Sequence, residues 1–94
     1  MITVINVGDI VFGKRLEAWD LAKRMAACWG GGMKVFTPVS GEMDKIMFSY
    51  TCESLAAYEE QMKKPNPRNE ALLKENREKH LLEHNKRVIY EELK

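Results

Sequence analysis

Cysteine is scarce in this chain, proline is scarcer than glycine, and neither sign of charge prevails. Cys28 and Cys52 are the only thiols, far apart and without a C-x-x-C spacing, so no disulfide framework is expected. Both are expected to be buried and reduced. Fifteen basic residues against fourteen acidic ones leave a net charge of +1. The two signs interleave from Lys14 to Lys94, so neither a phosphate backbone nor an anionic bilayer would attract the chain strongly. No apolar run approaches the roughly 20 residues of a membrane span. Met1-Ile2-Thr3-Val4-Ile5-Asn6-Val7 has no basic leader and no cleavage site, so no signal peptide is expected, and a cytoplasmic address follows. Gly30-Gly31-Gly32 follows a helical pattern and does not precede one, so it reads as a C-cap and hinge and not as a phosphate loop. No metal and no cofactor are expected.

What is present is an ordinary globular composition, 45% hydrophobic and 31% charged over 94 residues. A chain of this size is expected to form one domain, residues 1–94. It buries a modest fraction of its surface and is expected to lean on an oligomer interface for stability.

The first segment, Met1 to about Ile10, reads as a strand with Thr3, Ile5 and Val7 on one face and Ile2, Val4, Asn6 and Gly8 on the other. Both faces are mostly apolar, so both need cover. A helix is expected from about Lys14 to Trp29, with Ala18, Trp19, Ala22, Met25, Ala26 and Trp29 on one stripe. Met33–Val39 reads as a second strand and Lys45–Cys52 as the returning strand of a hairpin. Ile46, Phe48, Tyr50 and Cys52 share one face of that strand. Ser54 is the expected N-cap of a short helix through Met62 that buries Leu55, Tyr58 and Met62. Asn66 as cap and Pro67 at the first helical position restart a charged helix through His84, which Asn85 would cap. Arg87–Tyr90 is the final strand.

This order predicts an α+β ferredoxin-like βαββαβ plait with an extra helix before the last strand. Helices cover one sheet face. The other, carrying Thr3, Ile5, Val7 and Met47 together with Met33 and Val35, has no cover within the chain, and a homodimer through the sheet faces would supply it.

The stretches Phe48-Ser49-Tyr50-Thr51-Cys52-Glu53-Ser54-Leu55 and Asn66-Pro67-Arg68-Asn69-Glu70-Ala71-Leu72-Leu73 resemble the dimeric α/β-barrel superfamily, NIPSNAP-like and antibiotic-biosynthesis-monooxygenase-like proteins among them. Cys52 stands where those proteins usually place a Trp. The resemblance implies a homodimeric barrel whose subunits each hold a cleft between sheet and helices for a small apolar, oxygenated ligand. It also implies a hydrogen-bonding role for Asn6. Relatives that degrade haem use a Trp on the second helix and a later His; Gln61 occupies the matching helix position here, which argues against that chemistry.

Asn6 and Tyr50 are the candidate catalytic residues, polarising a substrate that Trp19, Phe48 and Tyr58 enclose; the alternative is a non-catalytic ligand-binding or assembly protein of the same fold. Arg87 on the last strand is expected to be an exposed edge residue, with a ligand counter-charge as the alternative. His80-Leu81-Leu82-Glu83-His84 matches the inverted zincin spacing H-x-x-E-H. The motif needs a third ligand well downstream, and the chain is nearly over, so His80 and His84 are expected to be ordinary helix-surface residues. Cys28 and Cys52 have no neighbouring base to activate them. An RNA-recognition module shares the element order, but Lys45-Ile46-Met47-Phe48-Ser49-Tyr50 lacks its basic, glycine-containing aromatic motif, so no nucleic acid is expected.

Overall fold

A computed structural model describes residues 1–30 and 32–93. The chain runs β1 (Ile2–Ile10), α1 (Arg15–Ala27), β2 (Met33–Phe36), β3 (Lys45–Cys52), α2 (Leu55–Lys63), α3 (Pro67–Lys79) and β4 (Leu82–Glu91). The strands form one antiparallel sheet in the order β2-β3-β1-β4. This is the α+β ferredoxin-like plait, with α2 and α3 in place of a single second helix. No helix among the described residues is long and apolar enough to cross a membrane.

Local chemistry accounts for most element boundaries. The Ser54 hydroxyl accepts from the Ala57 amide at 3.1 Å, and the Asn66 carbonyl oxygen from the Asn69 amide at 3.2 Å, so both expected N-caps form. Pro67 occupies the start of α3, where its missing N–H costs nothing. α1 ends at Ala27, two residues before the expected Trp29, in a turn whose Gly30 takes φ +64°. The expected glycine stop is therefore partly seen; Gly31 lies outside the described residues.

Three expectations are corrected. β2 stops at Phe36 instead of Val39. Met33 and Val35 pair with Tyr50 and Phe48 and pack on the helix-facing side, leaving Lys34 and Phe36 on the open face. The second correction concerns α2, where Tyr58 is buried and Met62 half-buried, but Leu55 is exposed. The third is the largest: α3 ends at Lys79, not His84, and β4 begins at Leu82, five residues before the expected Arg87. His80 closes the helix in the left-handed conformation, φ 57°, and Leu81 drops into the core at 1% exposure. Asn76 fixes the crossing by accepting from the Leu82 amide at 2.8 Å and donating to its carbonyl at 3.2 Å. Lys14 donates to the Lys79 carbonyl at 2.6 Å, satisfying one of the carbonyls the helix end leaves open.

A left-handed cap suits glycine, and His80 bears a Cβ penalty of about 1–2 kcal/mol there. Its side chain is largely exposed and approaches Glu83 only at 3.9 Å. His80→Gly is expected to raise the unfolding free energy by about 1 kcal/mol, read from the urea midpoint.

The core has two parts. Ile10, Ala18, Leu21, Ala22, Ile46, Phe48 and Leu81 form the larger under α1, with Leu72 of α3 packed against it. Ile2, Val4 and Tyr58 form the smaller under α2, joined by Tyr50, Cys52 and Met62. On the outer side, Arg24 clamps α1 to α3 through two bonds to the Glu75 carboxylate, at 3.0 and 2.6 Å. That contact holds the Glu75 carboxyl down at about 2, first through the Arg24 hydrogen bonds and then through charge attraction. A carboxyl depressed on folding contributes stability above its unfolded value of about 4.5 and loses it as pH falls toward 2. Wild type is thus expected to exceed Glu75→Gln in stability at pH 7. The difference should shrink between about pH 4.5 and 2 in parallel urea titrations.

Candidate functional site

The gap between the two core clusters is a cavity of about 500 Å³, floored by β1, β3 and β4 and roofed by the end of α1, by α2 and by the length of α3 from Asn69 to Asn76. Its walls are mainly apolar: Val4 and Phe48 below, Met25 and Met62 above, Trp29 at one side. Trp29 meets Tyr50 edge-on at 6.5 Å between ring centroids, and Tyr50 meets Tyr58 at 6.3 Å. Gly32 lets Tyr50 lie this close to the β2 entry, since a Cβ at that position would sit 2.9 Å from the Tyr50 ring.

Of the residues singled out from sequence, Asn6, Phe48, Tyr50 and Tyr58 all line this cavity. Trp19 does not: its ring packs on the larger core cluster, with Arg15 lying 6.0 Å over it, and Trp29 supplies the cavity's indole. Burial, and secondarily the neighbouring Cys52 thiol, push the Tyr50 hydroxyl above its ordinary value of 10.0, so near neutral pH it is a phenol that can donate a proton to a hydrogen bond. Burial likewise pushes the Cys52 thiol up, away from a nucleophilic thiolate. Both cysteines are free and half-buried, against the expectation of full burial.

His80 and His84 do not share a helix face, which removes the geometry that H-x-x-E-H requires. His80 is the cap of α3 and His84 lies within β4 at φ 54°. The His84 position matters for a different reason. Val7 pairs with Lys86 and Asp9 with Glu83, so His84 and Asn85 together oppose the single residue Gly8. This is a β-bulge, and the positive φ belongs to its extra residue. The His84 imidazole Nδ1 lies 3.1 Å from the Asp9 carboxylate, which Lys45 also engages. The Lys45 hydrogen bond first, and His84 second, lower the Asp9 carboxyl below its usual value.

Because side chains alternate along a strand, one extra residue reverses the facing of everything after it. Leu82 pairs with Ile10 on the helix side. Without the bulge Arg87 would lie on the opposite face. With it, Arg87 pairs with Asn6 and lines the cavity, and Asn85 donates to the Asn6 carbonyl oxygen at 3.4 Å. Arg87 donates to the Tyr58 hydroxyl at 3.0 Å, its guanidinium 5.9 Å over the same ring. The bulge also turns Val88 and Tyr90 to the open sheet face, opposite Ile5 and Thr3. Arg87 is exposed on the outer strand β4, as the sequence reading expected, and also lines the cavity; Trp29, Asn69, Asn76 and Asn85 are among the cavity residues that sequence reasoning missed.

The chain superposes closely on solved structures of this plait. A NIPSNAP domain protein from Burkholderia xenovorans matches with a TM-score of 0.80 and 17% identity, over 99% of this chain and 95% of that one. A NIPSNAP family protein from Agrobacterium tumefaciens matches with a TM-score of 0.79 and 20% identity, over 98% and 92%. SnoaB, a cofactor-independent oxygenase from Streptomyces nogalater, matches with a TM-score of 0.70 and 13% identity, over 99% and 93%. The single-chain α+β ferredoxin-like plait expected from the resemblance is the fold observed. No protein-family model and no curated protein matches the sequence.

Proposed function

We propose that two copies of the chain pair through their open sheet faces, and that each binds a small apolar, oxygenated molecule in its sheet–helix cavity. The cavity carries the ligand reading. At about 500 Å³ it falls within the roughly 300–1,000 Å³ of ordinary ligand sites, with apolar walls and a few convergent polar groups. Asn6 and Tyr50 hydrogen-bond a ligand oxygen; Phe48, Tyr58 and Trp29 enclose its apolar body. Donors aimed at one oxygen stabilise negative charge developing there, which suits a cofactor-free oxygenation or an isomerisation through an enolate. That a structure of this fold is described as a cofactor-independent oxygenase agrees with this chemistry. A non-catalytic ligand carrier is the second reading, favoured by Asn6 already engaging Asn85 and by the raised Tyr50 hydroxyl, a poor base.

The pairing reading rests on the open face. Ile5, Val7 and Met47 are only half-buried there, and Phe36, Val88 and Tyr90 are exposed beside them. A second sheet laid on this band buries all six.

Calorimetric titration with 1-naphthalenemethanol, a neutral bicyclic alcohol, tests the cavity. Saturable binding is expected, weakened roughly 2- to 10-fold by Tyr50→Phe through the loss of one hydrogen bond. No binding to the wild type would refute the ligand reading. Oxygen uptake with 1,5-dihydroxynaphthalene then separates conversion from carriage.

A further inference from the structure

We propose that Arg87 makes the cavity selective for an acidic ligand: an apolar molecule bearing a carboxylate or a similarly ionised oxygen, its anionic end at Arg87 and its rings toward Phe48 and Trp29. The inference rests on the cavity reading above and specifies its ligand class.

Arg87 is a fixed cation with no paired anion. It belongs to no ion pair among the described residues, and of the basic residues it is the one that lines the cavity. Its single side-chain bond goes to the Tyr58 hydroxyl, a neutral acceptor. A guanidinium has five N–H donors in a planar fork, so most remain open. Arg87 is itself an exposed residue, and the hydroxyl and ring of Tyr58, which is 7% exposed, hold its guanidinium beside the cavity. The fork is thus positioned before a ligand arrives, which reduces the entropy lost on binding.

The surrounding polar groups favour an anion as well. Asn85 occupies the Asn6 carbonyl oxygen, leaving the Asn6 amide nitrogen, cross-strand from Arg87, as a donor. The Asn76 side chain is committed at both ends to the Leu82 backbone. Glu83 is the one acidic residue lining the cavity among the described residues, and it pairs with Asp9 on β1, its carboxylate 3.9 and 3.8 Å from His80 and His84. The Asn85 carbonyl oxygen remains as an acceptor, while the Arg87 fork and the Asn6 amide nitrogen remain as donors.

The test compares 1-naphthoate with 1-naphthalenemethanol, matched in size and differing in charge, by calorimetry at low salt. Wild type is expected to bind the carboxylate roughly 10- to 100-fold more tightly, the range of a hydrogen bond to a charged group. In Arg87→Gln the ratio should fall below about 3-fold, and Arg87→Lys should keep part of it, having the charge without the fork. If Arg87 only props Tyr58, Arg87→Gln weakens both ligands alike and leaves the ratio unchanged, which overturns the proposal. Equal wild-type affinities overturn it too, while leaving the cavity reading intact. Failure of both ligands to bind removes both readings together.

Discussion

Ile5→Asp is expected to turn the proposed dimer into a monomer, halving the mass measured by light scattering at micromolar concentration. Ile5 sits in the middle of β1, between Ser49 of β3 and Val88 of β4, at the centre of the open face. The cations of this face, Lys34 and Lys86, lie opposite Ser49 and Val7 and not opposite Ile5, so a carboxylate buried there without a direct partner would cost about 3–5 kcal/mol. A two-fold interface uses the same patch twice, so each dimer would carry that penalty on both sides. The dissociation constant should rise at least 10³-fold, by roughly 1.4 kcal/mol per decade. Ala56→Asp, at an exposed position on α2, on the other side of the sheet, is the control and should leave the mass unchanged. A wild-type chain that is monomeric throughout this range would remove the pairing proposal.

Leu21→Ala is expected to cost about 2–5 kcal/mol of unfolding free energy. Leu21 is fully buried on α1, against a cluster that includes Leu81, Ile46 and Phe48. The neighbouring Ala18 and Ala22 are too small to close over the void. Domains of this size commonly have only about 5–15 kcal/mol in hand, so the midpoint temperature should drop by roughly 10–30 °C. Leu73→Ala, at a 38% exposed position on α3, should cost less than about 1 kcal/mol by comparison. A coupled dimer would show the Leu21 effect with a midpoint that also depends on protein concentration.

The parts of this fold legible from sequence were those whose causes are local. Alternation fixed both faces of β1, and Ser54, Asn66 and Pro67 announced two helices by the chemistry of their caps. The end of α3 was not legible. Lys79, His80, Leu81 and Leu82 contain neither Gly nor Pro, and the apolar pair continues a helical pattern as readily as it begins a strand. What decides the matter is non-local: Leu81 is buried in the core under α1, and β1 offers a partner for β4 along its whole length. The site was legible in proportion. Asn6, Phe48, Tyr50 and Tyr58 follow from strand phase and a capped helix. Arg87 and Asn85 depend on a bulge, whose effect is to reverse the phase that sequence reading relies on. Trp19 and Trp29 occupy one stripe of α1, and only three-dimensional packing shows that the later one reaches Tyr50.

The irregularity at His84 also bears on how the chain avoids growing sideways. β2 and β4 are the outer strands, and a sheet rim with free amides and carbonyls is a template for any extended chain that drifts against it. β2 is only four residues long, with Pro38 soon after it. β4 is ten residues long, but its kink breaks the straight run, and Glu83, Lys86, Arg87 and Glu91 interrupt its apolar residues with charge. On the proposed pairing, Ile5 and Val88 stay uncovered until a second copy arrives, and these features of the two outer strands favour stacking face on face over fibril-like addition along the rim.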